Sequence, residues 1–489
     1  MLYLNKNITI FKRHVRIIME HPKSIYLISS TAMFESLSYY IFAGILVMYM
    51  IDVLHFTNPF STYLFGIAYG STYILQILGG YVCDKYLGNR KAIIFGISFI
   101  LIAQLIFTYD ASLFYLSANV QKHSTLLFTY PEIIFLIGVA AMAVGVSFFK
   151  VNIASFINLF YREDSKLLDS AFSIFYLFIN IGGFMAPLAI NYFVGVHHPS
   201  LYQYGFLIGA TAIFLGLTVF LLGKNRFFVL PDGEPIGILP RSKTEEAAEE
   251  KKNENKKSKL SKTEINRLKV VFIILISVLV FQVFSQQIYT SMILFAESHI
   301  NNVIPFINHK VAPSIYLTLN PLFVIFLSPI YIKLADSFSN KDKEFSSITK
   351  IGIGLLLLGV AYFVLFIAMG NLDGAMKLNM IWIVLFNFIM ENAELLIMPV
   401  TLSVITKLAP EKFTSSIIGV YYVTFSVASV IAGLCASAFP NLNPTKLFHV
   451  IPIPNLSTYF ILFAIIGIVT GAIWLVFRRR IVKLSDGVL

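Results

Sequence analysis

Long uninterrupted apolar segments recur along the chain and determine its architecture. The stretches 201–222, 270–296 and 456–477 contain no charged residue. A bilayer core about 30 Å thick needs about 20 residues of α-helix, so such segments are long enough to cross a membrane. The pattern predicts twelve spans, at residues 24–50, 61–83, 91–108, 131–160, 168–194, 202–223, 267–298, 312–336, 348–370, 376–407, 414–439 and 456–477. The chain is therefore expected to be an all-α membrane protein.

The composition supports this interpretation. Of the 489 residues, 57% are hydrophobic and 13% are charged. Soluble domains contain about 45–50% apolar and about 25% charged residues, so a soluble protein is excluded.

The net charge of +11 reflects a sorting of basic residues between the two sides of the membrane. Thirty-two of the 37 basic residues lie on the predicted side that carries both termini. Only Lys122, Lys310, Lys377 and Lys446 lie on the opposite side, and Lys150 lies inside span 4. Because loops rich in Lys and Arg stay in the cytoplasm, we expect both termini to be cytoplasmic and no nucleic acid to be a partner.

A long polar segment divides the spans into six and six. Residues 245–257 read EEAAEEKKNENKK and offer almost nothing apolar to bury. We expect a six-helix bundle over 1–223, a charged cytoplasmic linker over 224–266 and a second six-helix bundle over 267–489. Two such bundles are the arrangement of the major facilitator fold, in which the substrate lies at the midplane between halves.

Cysteine and histidine give no sign of a metal site, a cofactor or an enzyme. Cys83 and Cys435 lie in or beside predicted helices, without metal-ligand spacing. A membrane enzyme would need clustered His, Asp or Cys at a membrane face, and the nine histidines are mostly scattered in loops. We therefore expect neither catalysis nor a bound metal or cofactor.

The loop after span 2 carries a first motif. Residues 79–91 read GGYVCDKYLGNRK. Paired glycines allow close approach of helix backbones, and Gly88 permits a tight turn. Gly80, Asp84, Gly88 and Arg90 together resemble the gating loop of the major facilitator superfamily, which would latch the two halves together in one state and release them in the other.

Spans 4 and 5 carry the most specific motifs. Residues 145–152 read GVSFFKVN and residues 175–182 read FYLFINIG. Together they resemble the proton-dependent oligopeptide transporter family (POT or PTR family) of the major facilitator superfamily. The resemblance continues in HPK at 21–23, LNPL at 319–322, Glu394, Leu395, Pro399 and TKLAP at 406–410.

Four ionisable residues inside spans mark the predicted functional site. They are Glu35, Lys150, Glu391 and Glu394. Each costs at least about 2–3 kcal/mol at the bilayer centre unless it is paired or hydrated. The spacing of three puts Glu391 and Glu394 near one helix face.

The resemblance implies proton-coupled symport of di- and tripeptides by alternating access. It implies that Lys150 attracts the peptide carboxylate and Glu394 the amino terminus. It assigns hydrogen bonding to Asn180 and Asn320, with Tyr39, Tyr40 and Tyr73 lining the pocket. The sequence has no large insertion between spans 9 and 10, which favours a bacterial inner-membrane member, although 224–266 has no room for the two extra helices that many bacterial members carry between the halves. A monomer is the default expectation.

The sequence departs from the family pattern in spans 1 and 7. Ala32, Ser36 and Ala43 replace an acid and two arginines, and Gln286 replaces an acid associated with proton coupling. These departures leave a second possibility open, transport of an amino-acid derivative, a cationic compound or another organic solute, with altered or absent proton coupling. A non-transporting receptor or scaffold is an alternative of another class.

The same departures leave three predicted carboxylates with Lys150 as their only base. Burial and like charge both disfavour the ionised form, so we expect at least one carboxyl to hold a proton near neutral pH when the cavity is occluded. Glu35 is the leading candidate for the proton carrier, with Lys150 as its switchable partner and Glu391 as a further candidate.

Overall fold

The protein is described by a computed structural model. It covers residues 21–113, 130–161, 165–195, 199–229, 235–240, 261–304, 308–339, 346–370, 377–410, 414–440, 444–448 and 450–485. Most of the predicted charged linker, and Lys122, lie outside these residues.

Where the structure describes the first half, it forms six long helices. They are α1 (Lys23–Asp52), α2 (Asn58–Val82), α3 (Asn89–Ser112), α4 (Tyr130–Asn158), α5 (Ser165–Phe193) and α6 (Tyr202–Phe227). A π-helical turn, Cys83–Leu87, follows α2. Local chemistry explains the start of α2, because the Thr57 side chain accepts a hydrogen bond from the Phe60 N–H and a proline occupies the first turn.

The described residues of the second half form seven α-helices. They are α7 (Lys262–Ser285), α8 (Ser291–His299), α9 (Leu319–Ser339), α10 (Ser347–Met369), α11 (Ile381–Leu408), α12 (Thr414–Ser437) and α13 (Leu456–Leu484). A 3₁₀ turn, Gln286–Tyr289, joins α7 to α8, so the two helices together form the seventh span. Ser261 and Glu264 form a reciprocal capping box at the start of α7.

Short β-ladders occur in the second half, on the side of the spans opposite the linker. β1 (Ile300–Asn301) pairs in parallel with β4 (Leu378–Asn379), β2 (Val303–Ile304) pairs antiparallel with β3 (His309–Lys310), and β5 (Thr445–Leu447) pairs antiparallel with β6 (Ile451–Ile453). They connect loops and contribute no layer of their own.

The helices confirm the prediction of an all-α membrane protein. Each predicted span coincides with a helix or, for span 7, with α7 and α8. Among the described residues, eleven helical stretches are long and apolar enough to cross a membrane. Helix α2 is long enough but less apolar than these stretches, because it is rich in Gly, Ser, Thr and Tyr. It buries Ser61, Thr62, Thr72 and Gln76. The chain is an integral membrane protein with multiple spans.

Helix packing joins the halves along two seams. In the first half, α1 packs on α5 and α6, and α3 packs on α4 and α6. In the second half, α10 packs on α11 and α13, and α7 packs on α12 and α11. Between the halves, α2 packs on α12, and α5 packs on α9 and the 3₁₀ turn Pro313–Thr318.

Backbone contact brings α2 and α12 together on the side opposite the linker. A Cβ on Gly66 would lie 2.5 Å from the Ser429 carbonyl oxygen and 2.9 Å from the Gly433 Cα, so only glycine fits this close approach. On the same side, the Ala312 N–H donates to Oδ1 of Asn191 at 2.8 Å and ties the second seam. The halves are therefore closed against each other on that side.

Candidate functional site

An acid and a base face each other inside the first half. Glu35, in α1, is 2% exposed, whereas the Lys150 side chain, in α4, is 35% exposed. Lys150 Nζ lies 4.0 Å from Glu35 Oε1. It also lies 3.9 Å from the centre of the Tyr39 ring, which follows Glu35 by one helical turn. Lys150 is held between a carboxylate and an aromatic face, both of which attract a cation.

Two carboxylates share one amide inside the second half. Asn320, at the start of α9, donates from Nδ2 to Glu391 Oε2 at 2.5 Å and to Glu394 Oε2 at 3.3 Å. Glu391 and Glu394 lie one turn apart on α11. Glu391 is 1% exposed and Glu394 is half-buried. Within the described part of the chain, no basic side chain pairs with either carboxylate.

Tyr40 connects the two groups across the interface. It lines a small cavity together with Tyr289, which precedes α8. It also lies within electrostatic range of Glu35, Glu391 and Glu394. Acids from both halves therefore lie near one side chain at the interface. We call the region around Tyr40 that contains these three acids, with Lys150 beside Glu35, the central chamber.

Aromatic rings from both halves line the chamber. The Tyr69 ring lies 5.9 Å from Tyr39 and 5.9 Å from Tyr289, between ring centres. The Tyr73 ring, also on α2, lies 5.2 Å from Phe425 of α12. These contacts make a continuous aromatic wall from α1 through α2 to the second half.

Asn180 and Asn320 meet at a small polar cavity. Asn180 donates from Nδ2 to the Tyr176 carbonyl one turn earlier, at 2.8 Å. Asn180, Asn320, Tyr40 and Tyr289 line a cavity of about 10 Å³ between the halves. That volume is close to the minimum that holds one water molecule, so this cavity fits a bridging water between the amides.

The residues of the predicted gating loop contact their own half in this structure. Arg90 is 5% exposed, and its guanidinium donates to the carbonyls of Phe228 and Ile236, after α6. Gly88 has φ +74°, and a Cβ there would lie 2.6 Å from the Ile238 carbonyl oxygen. Arg90 and Gly88 thus dock the segment that follows α6.

The paired glycines before this loop differ in their surroundings. A Cβ on Gly79 would lie 2.9 Å from the Ser147 carbonyl oxygen of α4, whereas a Cβ on Gly80 would meet only Val151, at 3.7 Å. The close backbone approach is therefore made at Gly79. Asp84 lies in the π-helical turn that separates these glycines from Gly88.

The residues that depart from the family pattern are packed or hydrogen-bonded. Gln286 donates from Nε2 to Ser429 Oγ at 2.8 Å and so ties the seventh span to α12. Ala32, Ser36 and Ala43 are almost fully buried on α1. A Cβ on Gly182 of α5 would lie 3.0 Å from the Ser36 Cβ, so α1 and α5 pack closely at that position.

Sequence reasoning missed two ring positions in the chamber. Tyr69 precedes Tyr73 by four residues, so helical spacing alone places it on the same face of α2. That signal was present in the sequence. Tyr289 lies in a 3₁₀ turn, where helical periodicity gives no indication of its direction.

Comparison with known proteins identifies the family. The sequence profile of the POT family matches residues 90–237 and 240–449. The chain belongs to the POT family. The matched ranges contain Lys150, Asn180, Asn320 and both glutamates of α11, whereas Glu35 precedes them.

Named relatives of this POT chain cover nearly its whole length. It is similar to a di-/tripeptide transporter of Lactococcus lactis subsp. cremoris, with 26% identity over 96% of this chain and 97% of that protein. It is also similar to dipeptide and tripeptide permease A of Escherichia coli (strain K12), with 25% identity over 93% of this chain and 91% of that protein.

Solved structures share the fold of this POT chain. A crystal structure of peptide transporter POT in complex with sulfate has a TM-score of 0.78 at 22% identity and covers 96% of each chain. A POT family transporter in complex with a thioalcohol-conjugated peptide has a TM-score of 0.78 at 20% identity and covers 94% of this chain and 97% of that one. The prediction of the major facilitator fold is confirmed.

Proposed function

We propose that the chain is a proton-coupled symporter of di- and tripeptides that works by alternating access. One observation carries the proposal: Tyr40, at the interface, lies within electrostatic range of Glu394 in the second half and of Glu35 in the first, and Glu35 pairs with Lys150. A peptide is a zwitterion whose charged ends are separated by its own length. A chamber with a cation at one wall and an anion at the other is complementary to it.

The geometry suggests a role for each polar residue. Lys150 binds the peptide carboxylate, and Glu394 binds the amino terminus. Asn180 and Asn320 form hydrogen bonds with the backbone between the two ends. Tyr39, Tyr40 and Tyr73 provide the apolar wall. Because these contacts address the ends and the backbone, they accept many different side chains.

Proton coupling is assigned to the Glu35–Lys150 pair. While Glu35 is ionised, its carboxylate competes with the substrate carboxylate for Lys150, 4.0 Å away. A proton on Glu35 removes that competitor and leaves Lys150 to the substrate. Proton binding and peptide binding then favour each other. Glu391 is a second candidate proton site, because it is buried beside another carboxylate.

The seams between the halves suggest how access alternates. In this structure the contacts between α2 and α12, and between α5 and α9, close the side opposite the linker. Release of these contacts would open that side. The gating-loop residues Gly80, Asp84, Gly88 and Arg90 are assigned to the opposite surface, where they support the closed state of the other face.

The proposal also covers the domain bounds, the membrane topology, the location and the oligomeric state. The first bundle is assigned to residues 1–223 and the second to 267–489, joined by the cytoplasmic linker 224–266. Both termini are assigned to the cytoplasm of a bacterial cell, the protein to the inner membrane and the working unit to a monomer. Relatives named as peptide transporters support the substrate class.

Reconstituted uptake tests the proposal. Purified protein is incorporated into liposomes, and labelled dialanine is followed under an inward proton gradient beside a panel of free amino acids. We expect accumulation of dialanine that collapses when an ionophore dissipates the gradient, and no accumulation of amino acids. Accumulation of an amino acid instead, or of nothing in the panel, would contradict the proposed substrate.

A second candidate is transport of another small organic solute with altered or no proton coupling. It is favoured by Ala32, Ser36 and Ala43, which leave Lys150 as the base of the chamber, and by Gln286, which is engaged with Ser429. Dialanine uptake that reaches equilibrium without exceeding it, with or without the proton gradient, would support this candidate. Binding of dialanine without any flux would instead favour a receptor.

A further inference from the structure

The central chamber has an excess of carboxylates. Among the described residues that border it are three acids, Glu35, Glu391 and Glu394, and one base, Lys150. Lys150 and Glu35 balance each other within the first half, at 4.0 Å. Among the described residues, the hydrogen-bond donor to the pair on α11 is the neutral amide of Asn320. A substrate that reaches this pair is therefore complementary to it only if the substrate brings positive charge.

A fully buried oxygen of this pair has no hydrogen-bond partner among the described residues. Glu391 is 1% exposed, and its Oε1 makes no hydrogen bond to any described residue. Buried polar atoms are nearly always hydrogen-bonded, so an unpaired carboxylate oxygen at a binding site indicates a missing donor. The other oxygen of Glu391 is fixed by Asn320, which also holds Glu394. The two carboxylates are thus prearranged, with the Glu391 Oε1 position open to a donor.

Aromatic rings border the same two carboxylates. Tyr40, Tyr176 and Tyr289 all lie within electrostatic range of both Glu391 and Glu394. Ammonium groups are attracted by carboxylates and by the faces of aromatic rings. The surroundings of the pair therefore match amines better than neutral or acidic groups.

We propose that Glu391 and Glu394 bind two ammonium groups of one substrate, so that peptides with an amine on their first side chain are preferred. The inference rests on the proposed function, because Glu394 holds the α-ammonium of a peptide there. Glu391, one turn away with its Cβ about 5–6 Å from that of Glu394, takes the side-chain ammonium. The side chain of a first-position lysine is long and flexible enough for its ammonium group to reach Glu391 while the α-ammonium group binds Glu394. Lys150 binds the carboxylate at the opposite end.

Direct binding tests the inference separately from transport. Isothermal titration of the purified full-length protein compares Lys-Ala, its Nε-acetyl derivative, Ala-Lys and Ala-Ala. Lys-Ala carries a charged ammonium on its first side chain, and the acetylated peptide has a neutral amide in its place. We therefore expect Lys-Ala to bind at least about tenfold more tightly than the acetylated peptide. Lys-Ala should also bind more tightly than Ala-Lys. Equal affinities within either pair would overturn the inference, as would the absence of binding by all four.

A variant locates the preference. Glu391→Gln keeps the size and an acceptor oxygen for Asn320 but removes the charge. The ratio of Kd values between acetylated and free Lys-Ala should fall from about tenfold to near one. Asp110→Asn is the matched control, because Asp110 is a buried acid of α3 that accepts from the Tyr49 hydroxyl at 2.6 Å. The control should keep the wild-type ratio.

Two outcomes separate this inference from the proposed function. If dialanine is not transported but Lys-Ala binds selectively, the transport proposal fails and the ammonium site stands. If dialanine is transported and the four peptides bind alike, the transport proposal stands and the ammonium site fails. An unchanged ratio in Glu391→Gln would refute the assigned residue, and the wild-type peptide series decides the inference should that variant not fold.

Discussion

The two walls of the central chamber hold their carboxylates in different ways. In the first half, Glu35 has its own cation, Lys150, whose Nζ lies 4.0 Å from Oε1. In the second half, as far as its residues are described, Glu391 and Glu394 share one amide donor, Asn320, and pair with no cation. One wall is internally neutralised and the other is not.

This difference separates two tasks of a symporter. A neutralised pair acts as a switch, because a proton or a substrate carboxylate must compete with the existing partner. A pair without its own cation acts as a receptor for positive charge, because no fixed cation needs to be displaced. We therefore associate proton coupling chiefly with the first half and recognition of the amino end with the second.

Loss of the base should break this arrangement most severely. Lys150→Gln removes the partner of both Glu35 and the substrate carboxylate. We expect uptake of dialanine to fall by about 100-fold, because truncation of one member of a buried charge pair typically costs about 2–5 kcal/mol. Initial uptake rates in proteoliposomes measure the effect. Lys446→Gln, at an exposed lysine of β5, is the control and should transport normally.

Removal of the switch should have a more selective effect. Glu35→Gln mimics the protonated acid permanently, so the link between proton and substrate is lost. We expect accumulation under a proton gradient to disappear, while exchange of internal for external dialanine continues. Parallel measurements of accumulation and exchange on the same vesicles distinguish the two. Accumulation at the wild-type level would refute the assigned role of Glu35.

The smallest effect is expected at the seam between α2 and α12. Gly433→Ala places a Cβ 2.8 Å from the Thr62 carbonyl oxygen, so the helices must separate slightly. We expect a loss of about 1–3 kcal/mol from the closed form, as for other overpacked contacts, and a few-fold change in uptake rate. Gly419→Ala, where a Cβ meets nothing within 4 Å, is the matched control on the same helix. Equal effects in both variants would show that the seam is unimportant.

Much of the fold followed from patterns that lie along the chain. Twelve spans were predicted from apolar length, and each coincides with a helix or, for span 7, with the pair α7 and α8. The break at Gln286–Tyr289 was not predicted, because residues 285–291 contain no charged residue, proline or glycine that would mark the end of a helix. The seams between the halves could not be predicted from the sequence either, because Gly66 and Gly433 meet only after the two bundles assemble.

The candidate site was predictable where charge is conspicuous. Glu35, Lys150, Glu391 and Glu394 stand out because ionisable groups are costly inside a membrane. Their partners were less evident. The shared amide of Asn320 depends on how α9 packs on α11, and the Arg90 contacts depend on a segment that folds back after α6.

The central claim is that a peptide binds lengthwise, with its carboxylate at Lys150 and its amino group at Glu394. Competition for dialanine exchange by dialanine amide and by N-acetyl-dialanine tests it most directly, in the wild type, Lys150→Gln and Glu394→Gln. In the wild type, we predict that both blocked peptides compete more weakly than dialanine. In Lys150→Gln, dialanine amide alone should compete as well as dialanine, and in Glu394→Gln, N-acetyl-dialanine alone should do so. Loss of both penalties together in each variant, or of neither, would contradict the account.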